Sequence, residues 1–264
     1  MANKIDEVFG KNEELKIMTH VVAGYPDLET SGQLIKVMAE SGADLVEIQI
    51  PFSDPLADGA TIMEATQHAL NAGITPEHCF ELAHTLKDTV DIPLLFMSYA
   101  NIPYKYGVEQ FIIKSKEAGI QGLIVPDLPI DEENENYFSI IKNYDVHPIL
   151  VVSPDMNEDR LASVAKHGSG FIYSTLKVGI TGAMNAMKQE GLFFLDVLRK
   201  HTPLPIAAGF GISKPEHVAH LRGNADAAVI GSRVITLFNE EGLDGVRDLI
   251  LQCKDASTAL GANG

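Results

Sequence analysis

Eight short apolar runs alternate with segments of helical spacing along this chain of 264 residues. This alternation limits the fold more than any other feature, because strands that alternate with helices pair in parallel through right-handed crossovers. Eight such units in about 250 residues match a (β/α)8 TIM barrel. An open doubly wound sheet is the alternative, although no Gly-x-Gly-x-x-Gly turn follows the first strand. The predicted strands end near Val22, Ile50, Ser98, Val125, Val152, Ser174, Ala208 and Ile230.

Helical segments are predicted between these strands, and several are followed by the Gly that often ends a helix. Beyond the bare repeat, Ile5, Val8 and Phe9 predict an extra N-terminal helix that plugs the bottom of the barrel. Thr75 and Pro76 predict the start of an additional helix after strand 2, and further helix is expected after strand 8. The segments between strands are Ser31–Ser41, Ala60–Ala72, Val108–Ala118, Asn157–Lys166, Gly191–Lys200 and Pro215–Leu221.

No linker with a shift in composition divides the chain, so we expect one TIM-barrel domain over residues 1–264, with 255–264 as a frayed tail. Twenty basic residues against 36 acidic ones give a net charge of −16, which excludes partners that need a basic surface, such as nucleic acid and anionic membranes. The two cysteines, Cys79 and Cys253, have no metal-ligand spacing. With no signal peptide or membrane span predicted, the expected location is the cytoplasm.

The run from Leu45 to Gly59 places a carboxylate inside an apolar strand and a second one in the Pro-rich loop that follows. Side chains alternate between the faces of a strand, so Glu47 and Gln49 share the face opposite Val46, Ile48 and Ile50. An amphipathic surface strand with a solvated Glu47 is one interpretation.

In a barrel, by contrast, the ends of the strands form the active face, and the run would bring Glu47 and Asp58 together at the mouth. Two carboxylates in different surroundings can take separate roles in proton transfer. Asp54 lies in a Ser-Asp-Pro turn and is expected to cap that turn or to contact a partner. No spacing typical of zinc or calcium ligands and no nucleophile elbow is present, so no metal site is predicted.

Glycine-bearing turns follow strands 7 and 8, at Gly209–Ser213 and Ile230–Arg233. Glycine lets backbone N–H groups approach an anion, and the start of a helix adds favourable partial charge. Because these two loops are the usual phosphate site of such barrels, a phosphorylated ligand is predicted. The long connection Tyr173–Ala183 after strand 6 predicts a lid over the site.

The stretch Pro51–Gly59, with Glu47 four residues upstream, resembles the signature of the tryptophan synthase α-subunit family. The resemblance continues along essentially the whole chain. Its further motifs are Tyr99-Ala100-Asn101, Asp127-Leu128-Pro129, Tyr173, Gly179-Ile180-Thr181-Gly182, Gly209-Phe210-Gly211-Ile212-Ser213 and Gly231-Ser232. It implies cleavage of indole-3-glycerol phosphate to indole and glyceraldehyde 3-phosphate in tryptophan biosynthesis, a retro-aldol reaction that uses neither a metal nor a Schiff base.

The resemblance also implies a role for individual residues. Glu47 would be the catalytic acid–base, and Asp58 would accept a hydrogen bond from the indole N–H. Tyr173 would support Asp58, and Thr181 on the lid would close against it. The positions implied to bind substrate or its phosphate are Tyr173, Thr181, Gly182, Phe210, Gly211, Gly231 and Ser232.

The family acts as an α2β2 complex in which the β subunit carries pyridoxal phosphate and receives indole through a tunnel. The resemblance therefore implies no cofactor in this chain and a contact surface for the β subunit at Asp54, Pro55 and Asn101.

The chain departs from the family pattern at Gln49, where a Gly is common, at His20, where an apolar residue is usual, and in the lid at 174–178. These departures keep open a second function, that of a weakly catalytic α-like partner that mainly activates the β subunit. A third hypothesis is a different sugar-phosphate barrel enzyme, such as an isomerase, although the Glu47–Asp58 loop argues against it.

Overall fold

A computed structural model of the protein describes residues 3–11, 14–130, 136–176, 189–209 and 211–258. Its eight parallel strands follow one another around a closed barrel, with the last strand paired to the first, so the open-sheet alternative is wrong. Each predicted strand end lies within one residue of the observed end. The strands are β1 Lys16–Val22, β2 Leu45–Gln49, β3 Leu94–Met97, β4 Ile120–Ile124, β5 His147–Val152, β6 Ile172–Thr175, β7 Ile206–Gly209 and β8 Ala227–Ile230.

Helices surround this barrel, and the predicted (β/α)8 TIM barrel is confirmed. Two short helices that the sequence did not predict, α5 and α7, add to the repeat. No helix in the described part of the chain is long and apolar enough to cross a membrane. The helices are α1 Lys4–Gly10, α2 Leu28–Glu40, α3 Ala60–Asn71, α4 Pro76–Leu86, α5 Asn101–Tyr106, α6 Val108–Glu117, α7 Tyr137–Ile141, α8 Glu158–His167, α9 Gln189–His201, α10 Pro215–Leu221 and α11 Ser232–Thr258.

The interior of the barrel is apolar at its lower end, where small and large side chains from successive strands pack together. On β2, Val46 and Ile48 pack outward into the larger core beneath the helices, so Glu47 and Gln49 point into the barrel. The interior residues include Met18, Leu45, Leu95, Ile124, Ile149, Phe171, Ala207, Ala227 and Val229.

The predicted N-terminal helix closes this lower end. Ile5 of α1 is fully buried among the interior side chains. Asn3 caps the helix by accepting a hydrogen bond from the Ile5 backbone N–H, and its Nδ2 donates to the carbonyl of Gln121 at 3.0 Å. Gly122 leaves the room that Ile5 occupies, since a Cβ atom there would lie 3.0 Å from Ile5 Cδ1.

The additional helices also lie where they were predicted. Helix α4 follows α3 after strand 2, and Thr75 forms a capping box with His78 at its start. After strand 8, α11 has non-helical backbone at Gly242, with φ of 69°, so two helical segments follow one another.

The prediction of a frayed tail from Asp255 is wrong for residues 255–258, which are helical, while 259–264 lie outside the described residues. Burial outweighs the polar composition of this segment, because Ser257 is buried and Lys254 Nζ lies 2.7 Å from Asp44 Oδ2.

Candidate active site

A cavity of about 350 Å³ opens at the ends of the barrel strands. Its walls come from all eight strands or the loops that follow them, which is where a barrel of this kind carries out its chemistry. The lining residues used below are His20, Glu47, Asp58, Asp155, Tyr173, Thr175, Gly211, Gly231 and Ser232.

Glu47 lies inside this cavity and is only 4% exposed, so the surface-strand interpretation is wrong. His20 faces it from the neighbouring strand, because the register of β1 and β2 pairs the two residues. The distance from His20 Nδ1 to Glu47 Oε2 is 3.4 Å. Burial by itself lowers the pKa of His20, but the charges of Glu47 and Asp58 and hydrogen bonding to Glu47 and Gln49 together outweigh this effect, and the pKa lies above the usual value of 6.5. The surroundings of His20 therefore favour a protonated imidazole beside Glu47.

Asp58 is brought over the same cavity by the loop after β2 and is 5% exposed. Gln49 Nε2 donates a hydrogen bond of 2.6 Å to Asp58 Oδ2. Burial raises the pKa of Asp58 above 3.8, although hydrogen bonds from Gln49 and Tyr99 and the attraction of His20 oppose this rise. The two carboxylates thus have different partners, as separate roles in one reaction require.

Aromatic packing holds the loop that carries Asp58. The backbone N–H of Ala57 donates to Tyr99 Oη at 3.0 Å, and the Tyr99 ring stacks on Phe52 with centroids 5.4 Å apart. The loop after β3 is in turn fixed to the loop after β4, since the Ala100 N–H donates a hydrogen bond to Asp127 Oδ1 at 2.9 Å. The motif residues after strands 2, 3 and 4 therefore form one connected rim.

Tyr173 points into the barrel from β6 and lines the cavity with the two carboxylates. Burial, followed by the nearby charges of Glu47 and Asp58, raises the pKa of its hydroxyl well above the usual value. Tyr173 is therefore neutral and able to donate a hydrogen bond at physiological pH. Gly209 on the next strand makes room for the ring, since a Cβ atom there would lie 2.6 Å from Tyr173 Oη.

A second cavity of about 490 Å³ shares Gly211, Ile212 and Ser232 with the first. Ser232 is the first residue of the long helix α11, whose start favours an anion. Gly211 has a φ of 93°, a conformation that side chains rarely adopt. Lys214 and Arg233 add two cationic side chains to the wall. The arrangement suits a phosphate group.

Not all of the predicted site residues meet in these cavities. Thr181, Gly182, Phe210 and most of the predicted lid lie outside the described residues. Asp54 and Asn101 are exposed on the rim, outside the cavities, and Pro55 is half-buried beside them. Leu56, between this rim and the cavity, is 78% exposed.

The structure adds three groups to the site that the sequence does not single out. Tyr99 supports the loop that carries Asp58, and its only signal in the sequence is its position after strand 3. Lys214 directly follows the glycine turn after strand 7, and Asp155 follows strand 5. Among the described residues, no three His, Cys, Asp or Glu side chains are placed to hold a metal ion.

Residues 8–259 match the sequence profile described as tryptophan synthase alpha chain. The chain belongs to this family. A tryptophan synthase alpha chain from Syntrophotalea carbinolica is 42% identical over 238 residues, which are 90% of this chain and 94% of the relative. One from Desulforapulum autotrophicum is 42% identical over 89% of this chain and 93% of the relative.

Solved structures agree. The structure of Mycobacterium tuberculosis tryptophan synthase has a TM-score of 0.91 at 28% identity and covers 99% of this chain and 100% of that one. The tryptophan synthase alpha chain of Legionella pneumophila has a TM-score of 0.90 at 26% identity, with 100% of each chain covered. Membership of the tryptophan synthase alpha chain family confirms the predicted resemblance. It also confirms the predicted function, that of a carbon–carbon lyase that cleaves indole-3-glycerol phosphate in tryptophan biosynthesis.

Proposed function

We propose that the cavity between Glu47 and Asp58 is where indole-3-glycerol phosphate is cleaved, with the two carboxylates as the catalytic residues. The observation that carries this proposal is their burial in one cavity with different partners, His20 for Glu47 and Gln49 for Asp58. The different surroundings suit one group for proton transfer and the other for charge stabilisation.

The reaction breaks the bond between indole C3 and the neighbouring carbon of the glycerol phosphate side chain. A proton must reach C3 so that the ring can leave with the bonding electrons, and the hydroxyl on the neighbouring carbon must lose a proton so that the aldehyde forms. One proton is gained and one is lost, so the step is balanced without a co-reactant. Glu47 serves as the acid–base group for these transfers. Asp58 accepts the indole N–H and stabilises the positive charge that develops on the ring.

The phosphate end of the substrate is assigned to the second cavity. The first turn of α11, which begins at Ser232, offers backbone N–H groups, with Gly231 just before it on the wall of the first cavity, and Gly211 allows the loop after β7 to approach closely. Lys214 adds positive charge at the same place. Tyr173 contacts the substrate beside the carboxylates, and the proposal includes Thr181, Gly182 and Phe210 as further binding residues.

Homologues of this family imply a β-subunit partner. The proposal places that partner on the rim at Asp54, Pro55 and Asn101, where the exposed side chain of Leu56 adds an apolar contact. It assigns pyridoxal phosphate to the β subunit and no cofactor to this chain. It further describes the assembly as an α2β2 heterotetramer of single-domain α chains (1–264) in the cytoplasm.

The test is release of indole from indole-3-glycerol phosphate by the purified chain, with and without a tryptophan synthase β subunit. Asp58→Asn should lower kcat/KM by about 100-fold or more, since it removes the charge that stabilises the transition state. Asp88→Asn, at an exposed position in the turn after α4 and outside both cavities, is the matched control and should keep wild-type activity. If indole is released under neither condition while the β subunit is still activated, the chain is a non-catalytic partner and the proposal fails.

A further inference from the structure

His20 and Gln49 are two polar side chains buried inside the barrel, next to the catalytic carboxylates. They are 5% and 0% exposed. The register of β1 and β2 pairs His20 with Glu47 and Val22 with Gln49, so the three polar residues occupy two successive rows of the barrel interior. A buried polar side chain is costly unless it has partners, and the partners of these two are therefore informative.

The contacts run from one carboxylate to the other. His20 Nδ1 lies 3.4 Å from Glu47 Oε2, and Gln49 Nε2 donates to Asp58 Oδ2 at 2.6 Å. Gln49 also contacts His20, where its side chain favours the protonated imidazole. Within the described residues, His20 Nε2 and Gln49 Oε1 have no partner in full hydrogen-bonding geometry. A small movement that brings these two atoms together would form the hydrogen bond that links the two contacts.

The charges around the cavity explain what such a connection does. Three carboxylates and a neutral Tyr173 face His20 across the cavity, and His20 is the one described lining residue that can carry positive charge. Carboxylates that share a buried site repel one another, and a cation between them reduces this repulsion. The titratable groups on the cavity wall are Glu47, Asp58, Asp155 and Tyr173.

We propose that His20 and Gln49 form a polar bridge that couples the charge of Glu47 to that of Asp58. In this bridge the imidazolium holds Glu47 in a fixed orientation, while the amide of Gln49 holds Asp58 and supports the imidazolium. Both are positioning residues, because they act on the substrate through the carboxylates. Their effect on catalysis rests on the proposed function, but the coupling itself is a property of the protein without substrate.

The coupling is tested directly by an NMR titration of the imidazole groups in protein labelled with ¹⁵N-histidine. The chain has nine histidines, and His20→Gln identifies the signal of interest by its loss. Glu47→Gln and Gln49→Met should each lower the midpoint of the His20 titration, by about half a pH unit or more. Gln33→Met is the matched control, since Gln33 also donates to a carboxylate but on the exposed face of α2, and it should leave the midpoint unchanged.

The bridge is overturned if Gln49→Met leaves the His20 midpoint at the wild-type value in a folded protein. Gln49→Asn is the second variant, because its shorter side chain cannot reach both partners and replaces one amide by another. If Gln49→Met does not fold, this variant decides the question by the same criterion.

Kinetics give an independent readout of positioning. His20→Phe removes the imidazole and keeps a planar ring, so kcat should fall while KM stays within a few-fold of the wild-type value, because Glu47 loses the partner that orients it. In the double variant His20→Phe, Gln49→Met, the effects on kcat should not add. Additive effects, or a change confined to KM, would overturn the positioning roles. If no variant and no wild-type protein releases indole, the proposed function fails and the NMR titration still decides the bridge.

Discussion

Gly209 at the end of β7 leaves the space that Tyr173 occupies, and Gly209→Ala is expected to destabilise the protein. A Cβ atom at this position would lie 2.6, 2.7 and 2.9 Å from three atoms of the Tyr173 side chain. Real Cβ contacts this short do not occur, so the Tyr173 ring would have to leave its position in the cavity wall. Overpacking of this kind costs about 1–3 kcal/mol.

For a chain of this size, that cost corresponds to a fall in Tm of roughly 2–12 °C. The assay is thermal unfolding followed by circular dichroism, with urea unfolding at 25 °C as a second measurement. Gly231→Ala is the matched control at the end of β8, because the nearest atom to its Cβ would be 4.0 Å away. It should leave Tm within a degree or two of the wild-type value.

The double variant Gly209→Ala, Tyr173→Leu tests the cause. A smaller side chain at 173 removes the clash, so the added cost of the alanine should largely disappear in this background. The reasoning is refuted if Gly209→Ala is as stable as Gly231→Ala, or if the alanine costs as much beside Leu as beside Tyr173. The kcat/KM of Gly209→Ala should also fall, because Tyr173 is displaced from the catalytic cavity.

Three further predictions concern other parts of the molecule. Asp58→Asn should raise Tm at neutral pH by a few degrees while activity falls, because burial raises the folded-state pKa of Asp58 and its charged form destabilises the fold. This gain in Tm should shrink as pH falls and vanish below about 3.8, where Asp58 is protonated in both the folded and the unfolded state. A pH series of thermal melts checks this prediction. Ile5→Ala should lower the free energy of unfolding by about 2–5 kcal/mol in urea, because it leaves a cavity where Ile5 fills the lower end of the barrel. Equal stability of the variant and the wild-type protein would contradict this packing. Leu56→Asp should leave Tm unchanged and weaken binding to a β subunit by about tenfold or more in calorimetry, since the exposed side chain lies beside the proposed contact surface; unchanged affinity would place the partner elsewhere.

The barrel was predictable because each repeat shows a local pattern in the sequence, an apolar run for the strand followed by apolar residues at helical spacing. Parallel strands buried on both faces give continuous apolar runs, and the eight strand ends follow from them to within one residue. Helices α5 and α7 span only six and five residues, which is too short for a helical period to show. The helical residues 255–258 resemble a tail in sequence, because the packing at this end of α11 depends on partners distant in sequence. Lys254, just before them, pairs with Asp44.

The site was predictable in part. Alternation placed Glu47 and Gln49 on one face of β2, but only closure of the barrel decides that this face is the interior. The contact between His20 and Glu47 depends on the register of two strands, and the bond from Gln49 to Asp58 depends on how the loop returns. Neither is encoded in spacing along the chain. Gln49, which the sequence marks only as a departure from the family, is in the structure a partner of Asp58.

The proposed mechanism requires that Glu47 transfers the proton that allows the carbon–carbon bond to break. It is tested most directly by single-turnover cleavage of indole-3-glycerol phosphate, with indole release followed in Glu47→Gln at a substrate concentration that saturates binding. We expect a rate constant lower by about 100- to 10,000-fold, with substrate affinity within a few-fold of wild type, while Glu29→Gln on the exposed face of α2 keeps the wild-type rate. A Glu47→Gln protein that releases indole at the wild-type rate would contradict it.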